Sequence, residues 1–174
     1  MRTRWKHRLL AFLVTVLAAS PALAYEPLPN AVRTGLSWEH LVRRDGGPSD
    51  GAGAFVGYRR SLSDDWDAWV QVSWAGLPRR TGPAADQMTA TGGFSLVLDD
   101  SIFRPEIFVG GGVMASPATR DLPVIGMVLA GLALEYQPVH WVSLGVRVEL
   151  RIPFMHRQVV PSATSIGLHA TWPF

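Results

Sequence analysis

Apolar and polar residues alternate with a period of two along most of this chain, which places the two classes on opposite faces of an extended strand. The cleanest case sets Val142, Leu144, Val146, Val148, Leu150 and Ile152 against Ser143, Gly145, Arg147, Glu149 and Arg151. The same contrast separates Val32, Thr34, Leu36 and Trp38 from Arg33, Gly35, Ser37 and Glu39, and Ala68, Val70, Val72 and Trp74 from Asp67, Trp69, Gln71 and Ser73. It returns where Ala90, Gly92, Phe94, Leu96 and Leu98 oppose Thr89, Thr91, Gly93, Ser95 and Val97, and where Ile166, Leu168, Ala170, Trp172 and Phe174 oppose Ser165, Gly167, His169 and Thr171. Residues 52–60, 103–115 and 124–136 read as strands of lower contrast, because glycine or apolar side chains occupy both faces. The pattern predicts eight strands. Beyond residue 24 it leaves no room for a spanning helix, since the longest apolar run there, 124–134, stops at Glu135, well short of the ~20 residues such a helix needs.

The connections alternate in length. Residues 43–51, 76–87, 116–123 and 153–163 read as long loops rich in Gly, Pro, Arg and Asp, whereas 61–65, 99–101 and 137–140 read as short turns. An up-and-down barrel inserted from one side of a bilayer has this rhythm, with short turns on the periplasmic side and longer loops outside. The expected fold is therefore all-β, an eight-stranded antiparallel up-and-down transmembrane β-barrel, with both termini in the periplasm. Its aromatics divide accordingly. Trp66, Phe103, Trp141, Trp172 and Phe174 fall beside the short turns, and Trp38, Trp74 and Phe154 near the long loops, forming two bands where amphipathic rings favour the membrane interfaces.

Residues 1–24 have the form of an export signal: basic Arg2, Arg4, Lys6 and Arg8, an apolar run from Leu9 to Ala19, and Ala22-Leu23-Ala24 for cleavage. The barrel domain would then be 25–174. Removing the signal takes four of the 16 Lys and Arg and none of the 14 Asp and Glu, leaving a formal charge of −2, so the basic pI is no argument for nucleic acid. With no cysteine in the chain, disulfides, thiolate metal sites, cysteine nucleophiles and a lipidated cysteine anchor are excluded.

The segment Gly51-Ala52-Gly53-Ala54-Phe55-Val56-Gly57-Tyr58, followed by a short polar turn and a Trp-bearing strand, resembles the second and third strands of the transmembrane domain of outer-membrane protein A. Residues 104–112 (RPEIFVGGG) and 131–136 (GLALEY) are similar to segments of small outer-membrane barrels of that superfamily. The terminal Thr171-Trp172-Pro173-Phe174 resembles the signal by which the barrel assembly machinery recognises its clients. The resemblance implies an outer-membrane location and contact with outer-membrane lipid and lipopolysaccharide. The peptidoglycan-binding domain of the larger members has no counterpart in these residues, so a cell-wall tether is not carried over. Pro105 donates no ladder hydrogen bond and is expected near the start of its strand.

Strand parity puts Arg33, Glu39, Arg59, Asp67, Arg104, Glu106, Glu135, Arg147, Glu149 and Arg151 inside the barrel or at its rims. Arg33, Arg59 and Arg104 should meet Asp67, Glu106 and Glu135 toward the periplasmic end, and Arg147 and Arg151 should meet Glu39 and Glu149 above them. Eight strands enclose a space that side chains just fill, and an unpaired buried charge is costly, so a closed, salt-bridged lumen is expected and a wide porin is excluded. A narrow gated ion path through rearranged pairs is the competing reading of the same charges.

Catalysis has weaker support. A lipid A deacylase would need a serine activated by a carboxylate-oriented histidine. Of the candidates, His40 and Ser37 disagree in parity, as do His140 and Ser143. His169-Ala170-Thr171 has the spacing without serine, and His156 stands in a loop without suitable neighbours. A triad built across strands stays open. No histidine pair has metal-ligand spacing, Asp64-Asp65 and Asp99-Asp100 read as turn formers, and no helix pattern follows Gly110-Gly111-Gly112 to make it a phosphate cradle. No cofactor is expected. In the outer loops Arg43, Arg44, Arg79, Arg80, Arg120 and Arg157 could pair with lipopolysaccharide phosphates. The expected role is structural or interactive, through the outer loops and with an envelope protein partner at the periplasmic turns. The alternatives are a lipid A-modifying enzyme, a gated channel and a soluble periplasmic binder of an apolar ligand.

Overall fold

The computed structural model describes residues 29–41, 49–77, 85–99, 102–115, 124–154 and 162–174. The export signal, the six loop arginines and His156 lie outside them. Strands β1 (Asn30–Leu41), β2 (Ser49–Ser61), β3 (Trp66–Leu77), β4 (Ala85–Val97), β5 (Phe103–Ala115), β6 (Ile125–Val139), β7 (Val142–Pro153) and β8 (Ala163–Pro173) pair in chain order and close into one antiparallel barrel. Closure is by the β1–β8 pair, where Arg33 lies opposite Thr171 and Glu39 opposite Ser165.

The registers define the barrel's geometry. Stepping from Ala31 through Arg59, Trp69, Gly93, Gly110, Leu129, Arg151 and Ala163 returns to β1 at Leu41, a shear of ten residues. With a rise of ~3.3 Å per residue and strands ~4.8 Å apart, that shear over eight strands tilts them roughly 40° from the axis. On β3 the outward-facing Trp66 and Trp74 are eight residues apart, ~26 Å along the strand and roughly 20 Å in height at this tilt, close to the apolar band of an outer-membrane barrel.

Parity decides burial throughout. Val146 is 46% exposed beside Arg147 at 4%, and Leu168 is 66% exposed beside His169 at 5%. Most large apolar side chains face out and most polar ones face in, the reverse of a soluble protein and what a hydrocarbon solvent requires. Trp66, Phe103, Trp141, Trp172 and Phe174 are exposed at the end that carries the short turns, and Trp38, Trp74 and Phe154 at the other.

Several boundaries differ from expectation. β2 begins at Ser49, β3 runs to Leu77 and β4 starts at Ala85, so the loops expected at 43–51 and 76–87 are shorter than composition implied. Pro153 and Ala163 belong to β7 and β8, which shortens the loop expected at 153–163. Backbone pairing overrides turn-forming composition here, because each added rung satisfies two buried polar groups. The turn expected at 137–140 narrows to His140 and Trp141, since β6 continues to Val139 through a register irregularity after Tyr136. The amide of Gln137 donates to Ile102 O at 2.9 Å, which ties this stretch to the neighbouring turn. Pro105 is the third residue of β5, and its carbonyl accepts from Leu98 N at 3.0 Å.

The glycine run separates by parity. Gly110 is directly opposite Gly93, and a Cβ on Gly110 would lie 2.4 Å from Gly92 O and 2.9 Å from the Trp69 ring. Glycine here lets the indole fill the lumen. Gly111 faces outward, where an added Cβ would meet only Met127 O at 3.3 Å. Gly110→Ala is therefore expected to cost ~1–3 kcal/mol by overpacking, and Gly111→Ala less than ~1 kcal/mol, as read from urea unfolding midpoints in lipid vesicles. Equal midpoints for the two variants would contradict this packing.

Candidate functional site: the charged lumen

The structure brings the ten lumen residues inside the barrel, all buried, in two ion networks. At the turn end, Asp67 accepts from Arg104 Nη2 at 2.5 Å and faces Arg59 Nε at 3.5 Å. Glu106 meets Arg59 Nη1 at 2.8 Å, Arg33 Nη2 at 3.2 Å and Arg104 Nε at 3.3 Å. Glu135 takes Arg33 and Arg59, the latter at 3.2 Å, and is further held by Ser143 Oγ at 3.1 Å, Thr171 Oγ1 at 3.0 Å and His169 Nε2 at 3.1 Å. Every strand except β4 contributes a side chain to this layer.

Toward the loop end, Arg151 bonds Glu149 and reaches Glu39 Oε2 at 3.1 Å, while Arg147 Nη2 donates to Glu149 Oε2 at 2.6 Å. The second oxygen of Glu39 accepts from Ser37 at 2.9 Å and Ser165 at 3.1 Å. Arg147 joins this layer to what lies below it. It donates to Gln71 Oε1 at 2.5 Å, and its guanidinium sits 4.5 Å from the Phe108 ring centroid and 5.3 Å from that of Phe55. Trp69 and Phe108 meet edge to face at 6.0 Å, and Leu129 and Ala133 complete that cluster.

The two networks thus sandwich an aromatic layer. Each is neutral in sum, three guanidinium groups on three carboxylates at the turn end and two on two toward the loops. Removing charge from water is costly, and the many contacts on each carboxylate are what make its burial tolerable. Trp69 Nε1, Ser95 Oγ and His169 Nδ1 have no partner among the described residues, which marks positions suited to internal water.

Parity alone identified the ten charges but not the aromatic layer. Its signal was present: Phe55 lies on the inward face of β2, and Gly35, on the inward face of β1, leaves room for its ring, since a Cβ there would lie 2.6 Å from it. The roles of Ser143, His169 and Thr171 were also missed. Each lay on the inward parity, yet their shared partner Glu135 is on another strand.

Hydrolytic chemistry is poorly served inside. His169, Thr171 and Glu135 do converge, but Thr171 is 0% exposed, so no substrate can reach its hydroxyl. A second pair faces outward: His40 Nδ1 lies 2.7 Å from Asp50 Oδ1 at the loop end of β1 and β2, with Thr164, not serine, opposite His40 on β8. No group of three metal-ligating side chains occurs among the described residues.

These features define a small transmembrane β-barrel of eight strands with a filled interior. A comparison with protein-family models and with curated proteins found no match. Among solved structures, the chain is similar to Neisserial surface protein A (NspA), with a TM-score of 0.71 at 9% identity over 84% of this chain and 97% of that one. It is also similar to Ail, the attachment invasion locus protein of Yersinia pestis, at 0.57 and 12% over 83% and 97%. The outer membrane enzyme PagL aligns at 0.52 and 15% over 80% and 99%. At such identities the likeness is one of fold.

Proposed function

We propose that this chain is an integral outer-membrane protein whose barrel is closed to solutes and which works as a structural or interaction protein. The observation that carries this reading is the lumen: two neutral ion networks on either side of the Trp69–Phe108 layer occupy the route a solute would take. Among the described residues the charged lumen side chains are engaged with one another, so this reading places action in the parts beyond the lipid. The outer loops with Arg43, Arg44, Arg79, Arg80, Arg120 and Arg157 would meet lipopolysaccharide phosphates or a partner's surface, and the acidic turns an envelope protein. Export by a cleaved signal, insertion by the barrel assembly machinery and periplasmic termini belong to the same reading.

Fold alone does not choose among functions, since proteins as differently named as an attachment invasion locus protein and an outer membrane enzyme share it. Reconstituted into planar bilayers, the protein is expected to give no steady conductance. Steady unitary channels would overturn the plugged lumen in favour of the gated path. Crosslinking in intact cells, followed by identification of the captured molecule, tests the interaction role.

The second reading, a lipid A-modifying enzyme, is favoured by the outward-facing His40–Asp50 pair, which has a carboxylate-oriented imidazole at the level of the outer leaflet. The residues directly opposite His40 are Asp50 on β2 and Thr164 on β8, neither of them serine. Unchanged lipid A mass on expression would remove this reading.

A further inference from the structure

Two buried polar atoms on adjacent strands have no hydrogen-bond partner among the described residues: Arg147 Nε on β7 and His169 Nδ1 on β8. Glycines bring the two side chains together. Arg147 is opposite Gly167 and His169 opposite Gly145, so the pair occupies one diagonal of the ladder, ~7–8 Å apart at the backbone, and the other diagonal carries no side chain. A Cβ on Gly145 would lie 2.6 Å from His169 Nε2, and one on Gly167 would lie 3.3 Å from Arg147 Cγ. The imidazole therefore lies over β7 and the arginine stem over β8, each across the other's strand. The Phe55 ring borders both, its centroid 6.3 Å from that of His169 and 5.3 Å from the guanidinium carbon of Arg147.

The two unpartnered atoms are chemically complementary. Glu135 Oε1 already accepts from Arg33 and Thr171, so His169 Nε2, 3.1 Å from it, has to be a donor. A proton on both ring nitrogens would add a buried N–H with no acceptor, beside a guanidinium. The neutral imidazole protonated at Nε2 instead presents a lone pair at Nδ1. Arg147 offers what that lone pair lacks. Its Nη1 is engaged by Gln71 and its Nη2 by Glu149, which leaves Nε–H as a donor that cannot be lost by deprotonation. No direct hydrogen bond joins this donor to that acceptor, and a water between two such buried atoms satisfies both.

We propose that His169 and Arg147 form a binding site for one water molecule, which accepts from Arg147 Nε–H and donates to Nδ1 of a neutral His169. Glu135, His169, the water, Arg147 and Glu149 then make one hydrogen-bonded chain that passes the Phe55 and Phe108 rings and ties the two ion networks together. The aromatic layer is crossed by hydrogen bonds although side chains fill it. This inference rests on the closed lumen proposed above. Steady conductance would overturn that reading, whereas the measurement below can fail with the lumen still closed.

The test is nitrogen and proton NMR of the isotope-labelled mature protein in lipid nanodiscs at neutral pH, with the His169 resonances assigned by their loss in His169→Gln. The wild type is expected to show the His169 proton on Nε2, a bare Nδ1, and a cross-peak between Arg147 Nε–H and a slowly exchanging water. His169→Phe keeps a ring over Gly145 but offers no acceptor, so this cross-peak should be lost. Heat-modifiable migration in denaturing gels reports insertion of that variant separately, and the two wild-type observations decide the matter even if it does not insert. A proton on Nδ1, a doubly protonated ring, a wild-type Arg147 Nε–H without a water cross-peak, or a cross-peak that survives in inserted His169→Phe would each overturn the site.

Discussion

Glu135→Ala should lower the unfolding free energy by ~3–5 kcal/mol, the usual cost of removing one partner from a buried ionic cluster. The carboxylate is bonded by Arg33, Arg59, Ser143, Thr171 and His169, so its loss leaves three guanidinium groups to two carboxylates and takes an acceptor from three polar side chains in a lumen already filled. Glu135→Gln keeps the shape and part of the hydrogen bonding while removing the charge, and should fall between the wild type and the alanine variant. A double-mutant cycle of Glu135→Ala with Arg33→Ala isolates the pair, with a coupling of ~1–3 kcal/mol expected. Urea titration in vesicles measures all four species. A loss below ~1 kcal/mol for Glu135→Ala would mean that water reaches this layer freely and that the lumen is not closed there.

The second large effect tests the outside. Leu132 lies near the middle of β6 with its side chain outward, so Leu132→Arg places a charge at the depth of the acyl chains and should cost ~2–4 kcal/mol. Val124, exposed just before the loop end of the same strand, is at the interface by the same geometry, and Val124→Arg should cost no more than ~1 kcal/mol. The gradient along one strand carries the information. A soluble barrel would show two small and similar costs, because an arginine on a wetted surface is tolerated at any height.

The strand count and the partition of inward from outward were legible in the sequence because both depend on local properties. A side chain's face alternates with position, so Arg147 and Glu149 are assigned to the lumen and Val146 and Val148 to lipid without knowing what lies across the barrel. Bilayer thickness sets the length of each strand, and turn chemistry marks where it reverses. The division of charges into two heights also followed, since height is only distance along a strand of known direction.

The individual pairs within each group did not follow, and the reason is the shear. A ten-residue offset around the closed sheet brings Arg33 of β1 beside Glu106 of β5 and Glu135 of β6, and a single strand contains no information about that offset. The aromatic layer was hidden for the same reason: Phe55, Trp69 and Phe108 come from three strands and fit only because glycines such as Gly110 make room across the interior. The exact strand ends belong to cooperative pairing, which carried β2, β3, β4, β7 and β8 past their expected limits. Alternation and membrane thickness, acting residue by residue, specified a closed barrel with its charges inward. Which charges meet, and which rings close the space between them, depended on eight strands settling into one register, because only that closure converts positions along a chain into distances across a lumen.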